Sequence, residues 1–170
     1  MLQLLTPDMV FHTIYDISPA LLQQKGIRGV LIDIDGTVSS YRVALPDEKM
    51  HAYLKSLADA GIAALFLSNN KPMRVGRYSD PLGMQWISRA RKPLSKGFRQ
   101  AADMLGLPAH QIAVIGDQIF TDVLGGNRAG MLTCQVQSLD AAEFWIGVRC
   151  RIERPFIRRG QRNMEEERKI

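Results

Sequence analysis

Asp33 and Asp35 stand two residues apart in Val30-Leu31-Ile32-Asp33-Ile34-Asp35-Gly36-Thr37, directly after an apolar run. In an extended chain, residues i and i+2 point to the same side. Two carboxylates so placed repel each other unless a cation lies between them or one of them holds a proton. The first solution binds a metal; the second pairs an ionised carboxylate with an acid. An Asx-Gly turn after a strand would give the same local pattern. The polar residues downstream set this stretch apart. Ser68 ends a second apolar run, Lys92 follows a third, and Asp117 and Asp122 lie in Gly116-Asp117-Gln118-Ile119-Phe120-Thr121-Asp122 after a fourth.

Acids, a hydroxyl and a lysine in this order suit a divalent cation together with a phosphoryl group. Mg²⁺ favours hard oxygen ligands, and Asp33 and Asp117 can supply carboxylates. Lys92, Ser68 and the metal would neutralise the phosphoryl oxygens. A nucleophilic Asp33 would divide hydrolysis into formation and breakdown of an acyl phosphate. Asp35 could protonate the departing oxygen and later take a proton from water. Asn69 joins Ser68 and Lys92 in the phosphate-binding set, although it and Asn70 could equally cap their loop. Thr37 and Asp122 are placed as supporting residues.

The elements that must position these groups alternate. Apolar runs predict strands at 29–35, 62–67, 84–87, 111–115 and 131–136. Helical spacing, prolines and glycines predict helices near 47–60, 72–80, 93–105 and 119–128. Residues 8–25 read as two small helical or turn segments, with Ser18-Pro19 as a start and Gly26 as a stop. A last helix is expected at 140–148. Strands alternating with helices imply an α/β fold, a three-layer Rossmann-like parallel sheet with helices on both faces. In such a sheet all C-terminal strand ends lie on one edge, so residues remote in sequence converge there. The expectation is one domain over 1–148 and a partly disordered basic tail over 149–170.

Here the chain resembles a known family. DIDGT, the strand ending in Ser68, Lys92-Pro93 and GDQIFTD are similar, in order, to the four motifs of the haloacid dehalogenase superfamily, over roughly residues 28–136. The resemblance implies Asp33 as nucleophile and Asp35 as acid/base, with the Asp35 backbone carbonyl also binding Mg²⁺. It makes Ser68 and Lys92 the phosphate-binding pair, Asp117 a metal ligand and Asp122 a second supporting acid. The acid at Asp35 implies phosphate esters as substrates, because the dehalogenase branch lacks it. The intervals 36–67 and 69–91 are too short for an inserted cap domain, so the site is expected to be open to large substrates. Thr6-Pro7-Asp8, Asp16-Ile17, Gly26-Ile27-Arg28-Gly29, FLSNN and GDQIFTDV make the chain resemble the capless YqeG-type subfamily, which includes phosphatases acting on phosphatidylglycerophosphate.

Composition bounds the partners. The 170 residues suffice for one domain with a substantial core. No apolar run approaches the roughly 20 residues of a membrane span, and the N-terminus lacks the basic and apolar regions of a signal peptide. Cys134 and Cys150 have no metal-ligand spacing, which fits a cytoplasmic location. The net charge is +5, and from Arg149 onward eight basic residues face four acids. Lys71, Arg74, Arg77, Arg89, Arg91, Lys96 and Arg99 also crowd the segments around Ser68 and Lys92. These basic segments suggest peripheral contact with an anionic lipid headgroup layer at the inner face of the membrane. No hydrophobic anchor is evident, so such contact would be electrostatic and reversible. No nucleic-acid motif occurs. The substrate expected is phosphatidylglycerophosphate, with phosphoprotein or soluble nucleotide and sugar phosphates as alternatives. A phosphoryl-accepting regulatory domain is the alternative of a different class.

Overall fold

The computed structural model describes residues 2–40, 45–140 and 144–167. Its elements run β1 (Met9–Phe11), α1 (Pro19–Gln24), β2 (Gly29–Ile32), α2 (Glu48–Asp59), β3 (Ala63–Leu67), α3 (Pro72–Ser79), β4 (Trp86–Ile87), α4 (Ser95–Leu105), β5 (Ile112–Gly116), α5 (Leu124–Ala129), β6 (Leu132–Val136) and α6 (Phe144–Glu167). All strands pair in parallel in the order β1-β6-β5-β2-β3-β4. The chain leaves β2 towards β3 on one side, while β5 lies on the other. A switch of this kind opens a crevice beyond the C-terminal strand ends.

Side-chain alternation along the strands divides the interior into two layers. Val30, Ile32, Phe66 and Ile115 pack with Leu22, Leu57 and Tyr78 on the face covered by α1, α2 and α3. Leu31, Leu65, Leu67 and Val114 pack with Phe98 and Ala101 on the face covered by α4. All four residues of β2 are buried, so neither face can be polar. Each fully buried large apolar side chain contributes about 1.5–3 kcal/mol relative to its exposed state. The helix starts are capped as their sequences suggest: Ser18 Oγ accepts from the N–H of Leu21 at 3.2 Å, and Asp47 accepts from that of Met50 at 2.8 Å.

Two segments differ from the sequence expectation. Within the stretch read as helical or turn, Met9–Phe11 forms an edge strand that pairs with β6 in register Met9↔Cys134. Three residues are too few to show a period, and the tie is tertiary. Asp8 accepts from the Thr133 N–H at 2.8 Å and from its hydroxyl at 2.9 Å. The second difference is the chain's last described element. Residues 141–143, in the expected 140–148 helix, lie outside the described residues, but α6 continues to Glu167 through the segment read as a loose tail. The boundary expected at 148 therefore falls inside a helix. Glu153 of α6 is buried, Phe156 meets Phe120 edge-on at 6.2 Å, and the Val10 N–H donates to Met164 Sδ at 3.0 Å. A chain ended at Val148 should lose these contacts and melt about 5 °C or more below the full chain in a thermal scan.

Candidate active site

Each strand end at the crevice delivers one polar group. Asp33 directly follows β2, and its N–H donates to the Ile115 carbonyl at 2.9 Å, which fixes it beside the end of β5. Gly36 turns the chain there with φ +87°, and a Cβ on it would lie 2.7 Å from Asp117 Oδ2. Only glycine satisfies both the turn and that approach. Ser68 follows β3, with its N–H on the Ile87 carbonyl at 2.9 Å and its carbonyl accepting from Ala90 at 3.0 Å. Asp117 follows β5. Asp122 sits in a π-helical turn, Ile119–Val123, that folds back over Gly116, where a Cβ would strike its carboxyl at 2.3 Å.

The structure brings the expected residues together. Lys92 Nζ lies 2.6 Å from Asp33 Oδ1 and 2.6 Å from Asp122 Oδ1. Thr37 Oγ1 donates between Asp33 Oδ2 at 3.4 Å and Asp117 Oδ1 at 3.3 Å. Carboxylate oxygens of Asp33, Asp117 and Asp122 all lie within 4.8 Å of one another. Asp33, Asp35, Ser68, Asn69, Asn70 and Lys92, with Gln118 and Thr121, line an open cavity of about 260 Å³. Among the described residues no cap covers it. Asn69, which lines the cavity, also ties down the neighbouring loop: its amide accepts from the Lys92 N–H at 2.7 Å and donates to the Lys92 carbonyl at 3.1 Å. Its side chain positions Lys92.

Three residues of the site escaped the sequence reading. Arg74 of α3 was read only as part of a basic rim, yet its Nε donates to Asp35 Oδ1 at 3.0 Å, while Asn70 Nδ2 donates to Asp35 Oδ2 at 3.1 Å. Arg149 was assigned to the tail, yet its guanidinium donates to Asp117 Oδ2 at 2.7 Å. Glu153, one turn further on, accepts from the Ile119 N–H at 2.9 Å and stands 3.6 Å from Arg149. The Arg149–Glu153 spacing of four residues on a helix was the available signal.

Burial sets the electrostatics. It pushes the Asp33 carboxyl up, to about 8, with Lys92 opposing the rise and Asp122 and Asp117 adding to it. Asp117 is also raised by burial and by Asp122, against the pull of Arg149. For Lys92, burial favours the neutral form, but Asp122 and Asp33 outweigh it and hold the ammonium above its ordinary value. Glu153 is pushed up to about 7 by burial, against Arg149. Three buried carboxyls with hard oxygen donors, held this close, fit a divalent cation such as Mg²⁺, whose charge would reverse these rises.

Fold and site together define a doubly wound α/β protein with a crevice at its switch point lined by carboxyls, a lysine and a hydroxyl. A HAD-hydrolase-like family model matches residues 89–139. The chain is 34% identical over 140 residues to the probable phosphatase YqeG of Bacillus subtilis, covering 82% of this chain and 81% of that protein. It is 26% identical over 151 residues to the chloroplastic phosphatidylglycerophosphate phosphatase 1 of Chlamydomonas reinhardtii, covering 84% of this chain and 56% of the algal one. For its counterpart from Arabidopsis thaliana the identity is 25% over 173 residues, and the chain spans 47% of that enzyme. Among solved structures, the cobalt-bound deoxy-D-mannose-octulosonate 8-phosphate phosphatase YrbI of Haemophilus influenzae superposes with a TM-score of 0.53 at 22% identity, covering 65% of this chain and 68% of that one. A protein from Corynebacterium glutamicum gives 0.55 at 21%, covering 68% and 89%. These two share the fold. The chain belongs to the haloacid dehalogenase superfamily, among its YqeG-type phosphatases.

The raised carboxyls predict a pH dependence of stability in chelator. The native state holds protons on Asp33, Asp117 and Glu153 that the unfolded chain releases at ordinary carboxyl values. Stability should therefore fall as pH rises from about 4.5 towards 8. Urea midpoints in chelator should be lower at pH 8 than at about pH 5.5, and Mg²⁺ should raise the midpoint more at pH 8. A midpoint that climbs over this window in chelator would contradict the electrostatics described.

Proposed function

We propose that this phosphatase is an Mg²⁺-dependent phosphomonoester hydrolase that works through an aspartyl phosphate on Asp33 and acts on phosphatidylglycerophosphate. The observation carrying the chemistry is the buried Asp33 carboxyl, 2.6 Å from Lys92 and facing an open cavity, with Asp35 beside it. Asp33, Asp117 and the Asp35 backbone carbonyl would hold Mg²⁺. Bound there, the ion supplies charge neutralisation for the phosphoryl oxygens. Lys92 and Ser68 hold those oxygens, and Asn69 fixes the Lys92 backbone.

The Asp33 oxygen attacks phosphorus and forms the acyl-phosphate bond as the ester oxygen departs. Asp35 gives that oxygen its proton. Water then attacks the phosphorus and passes a proton to Asp35, which regenerates the Asp33 carboxylate and releases phosphate. Arg74 and Asn70 each hold one oxygen of Asp35, so its carboxyl is oriented throughout.

Similarity to YqeG and to the two phosphatidylglycerophosphate phosphatases supports the lipid substrate. So do the open cavity and the basic segments around Ser68 and Lys92, which would draw an anionic headgroup at the cytoplasmic face of a membrane. Among the described residues no helix is long and apolar enough to cross a membrane.

Asp33→Asn should reduce turnover on the order of 10³-fold or more, and chelator should abolish it. Full activity in either case would remove the assignment. Asp35→Asn should slow esters with poor leaving groups far more than p-nitrophenyl phosphate, because they need the proton more. A phospho-Asp33 that accumulates under acetyl phosphate without turnover would favour a regulatory domain. Catalytic efficiency on phosphatidylglycerophosphate should exceed that on nucleotide, sugar and protein phosphates.

A further inference from the structure

We propose that the rim of the site is a membrane-docking surface. Apolar side chains on the segments that follow β3, β4, β5 and β6 enter the headgroup layer of an anionic bilayer, and basic side chains beside them meet the lipid phosphates. This rests on the lipid-substrate reading above and names the surface which that reading requires.

After β3, β4 and β5, in the first turn of α3, the loop before α4 and the π-helical turn, a large apolar side chain facing water stands within a few residues of a site residue. Met73 comes after Ser68 and is 83% exposed; Leu94 comes after Lys92 and is 56% exposed. Phe120 comes after Asp117, held edge-on against Phe156 of α6. Leu139 is 54% exposed after β6, and its N–H donates to the Gly36 carbonyl at 2.8 Å, which places it beside the Asp33–Gly36 turn. Single exposed apolar residues are ordinary on a soluble protein. These four arise from four strand ends on one edge of a parallel sheet, around one polar cavity. No step of phosphate chemistry uses them.

Cations stand among them. Lys71, Arg89 and Arg91 in the loops and Lys96 in the first turn of α4 are exposed, and none forms an ion pair among the described residues. Arg89, Arg91 and Lys96 line a groove of about 290 Å³ with Leu94 at its lip. The arginines have φ of +46° and +56°, disfavoured for side-chain-bearing residues. The turn is stitched to the Ser68 loop by the Arg89 N–H on the Asn70 carbonyl at 2.9 Å. Uncompensated cations next to exposed leucine and methionine match an anionic lipid surface, where apolar groups enter the acyl boundary and cations stay with the phosphates. Docked by this rim, the cavity lies against the headgroups, and a phosphomonoester reaches Asp33 without its acyl chains leaving the bilayer. Exposed lysines and arginines alone, as the sequence suggests, would hold the protein at the surface without orienting it. The apolar rim orients it.

The test measures binding to vesicles of phosphatidylglycerol and phosphatidylcholine in equal parts, with no phosphatidylglycerophosphate present. Wild-type protein should sediment with the vesicles, and the Met73→Ser/Leu94→Ser double variant should bind at least tenfold more weakly. Met104→Ser removes another exposed apolar side chain, 42% exposed, from the far end of α4, and should bind within twofold of wild type. Leu94→Trp gives a second readout: its emission should shift to the blue and be quenched by brominated lipid. Equal binding of the double variant and wild type, an equal loss in Met104→Ser, or an unquenched tryptophan on sedimenting protein would overturn the proposal. So would a stable dimer in light scattering that fails to bind vesicles, because a second copy would then cover the rim. Vesicle binding is read independently of turnover, so wild-type protein that binds through these residues yet is inactive in the phosphatase assays above would overturn the phosphatase reading and leave the docking surface supported.

Discussion

Lys92 is buried, and its ammonium stands 2.6 Å from the carboxylate oxygens of both Asp33 and Asp122. Removing such a charge from water costs several kcal/mol, and good geometry on both sides is needed to offset it. The surroundings meet that need. Asn69 clamps the Lys92 backbone at both its N–H and its carbonyl, the turn through Arg89 and Arg91 is tied to the Ser68 loop, and the π-helical turn swings Asp122 back over Gly116. A buried ion pair of this kind is a poor source of stability compared with apolar packing. On the proposed function, its worth lies in fixing a positive charge for a phosphoryl oxygen, already oriented before substrate arrives.

The same constraint explains the second layer around the acids. Burial makes each carboxylate costly, and each is answered by a separate cation or donor: Lys92 for Asp33 and Asp122, Arg149 for Asp117, Arg74 and Asn70 for Asp35. Three of these partners come from α3, the loop before it, and α6. Helices that cover the sheet thus also compensate charge at its edge. Glu153 extends this outward by joining Arg149 to the backbone of the turn that carries Asp122.

Much of this was legible in the chain. The apolar runs before Asp33, Ser68 and Asp117 read as buried strands because β2, β3 and β5 occupy the sheet centre, where packing on both faces demands continuous apolar sequence. The Asp33, Ser68, Lys92 and Asp117 positions followed from the strand ends. β1 was not legible, because three residues carry no period and its partner is distant. Arg149 and Glu153 were hidden inside a charge-rich stretch whose composition resembles a solvated tail; only the contact of α6 with the sheet edge makes them interior. The rim of Met73, Leu94, Phe120 and Leu139 was likewise invisible, since each is an isolated apolar residue until the parallel sheet gathers the segments after its strands on one side.

The pairing of β1 with β6 also bears on how the molecule comes into being. Met9 is made early and waits for Cys134, and Asp8 for Thr133, 125 positions later. Contacts of such sequence separation close slowly, because the entropy of the intervening loop is lost before any pairing compensates for it. During synthesis the β2, β3 and β5 core can collapse first, leaving the first strand unpaired until β6 follows and Asp117 without Arg149 until α6 follows. Completion of the site therefore waits for α6, and a nascent chain halted before α6 would leave the buried Asp117 without its guanidinium partner, exposed to the quality-control machinery of the cell.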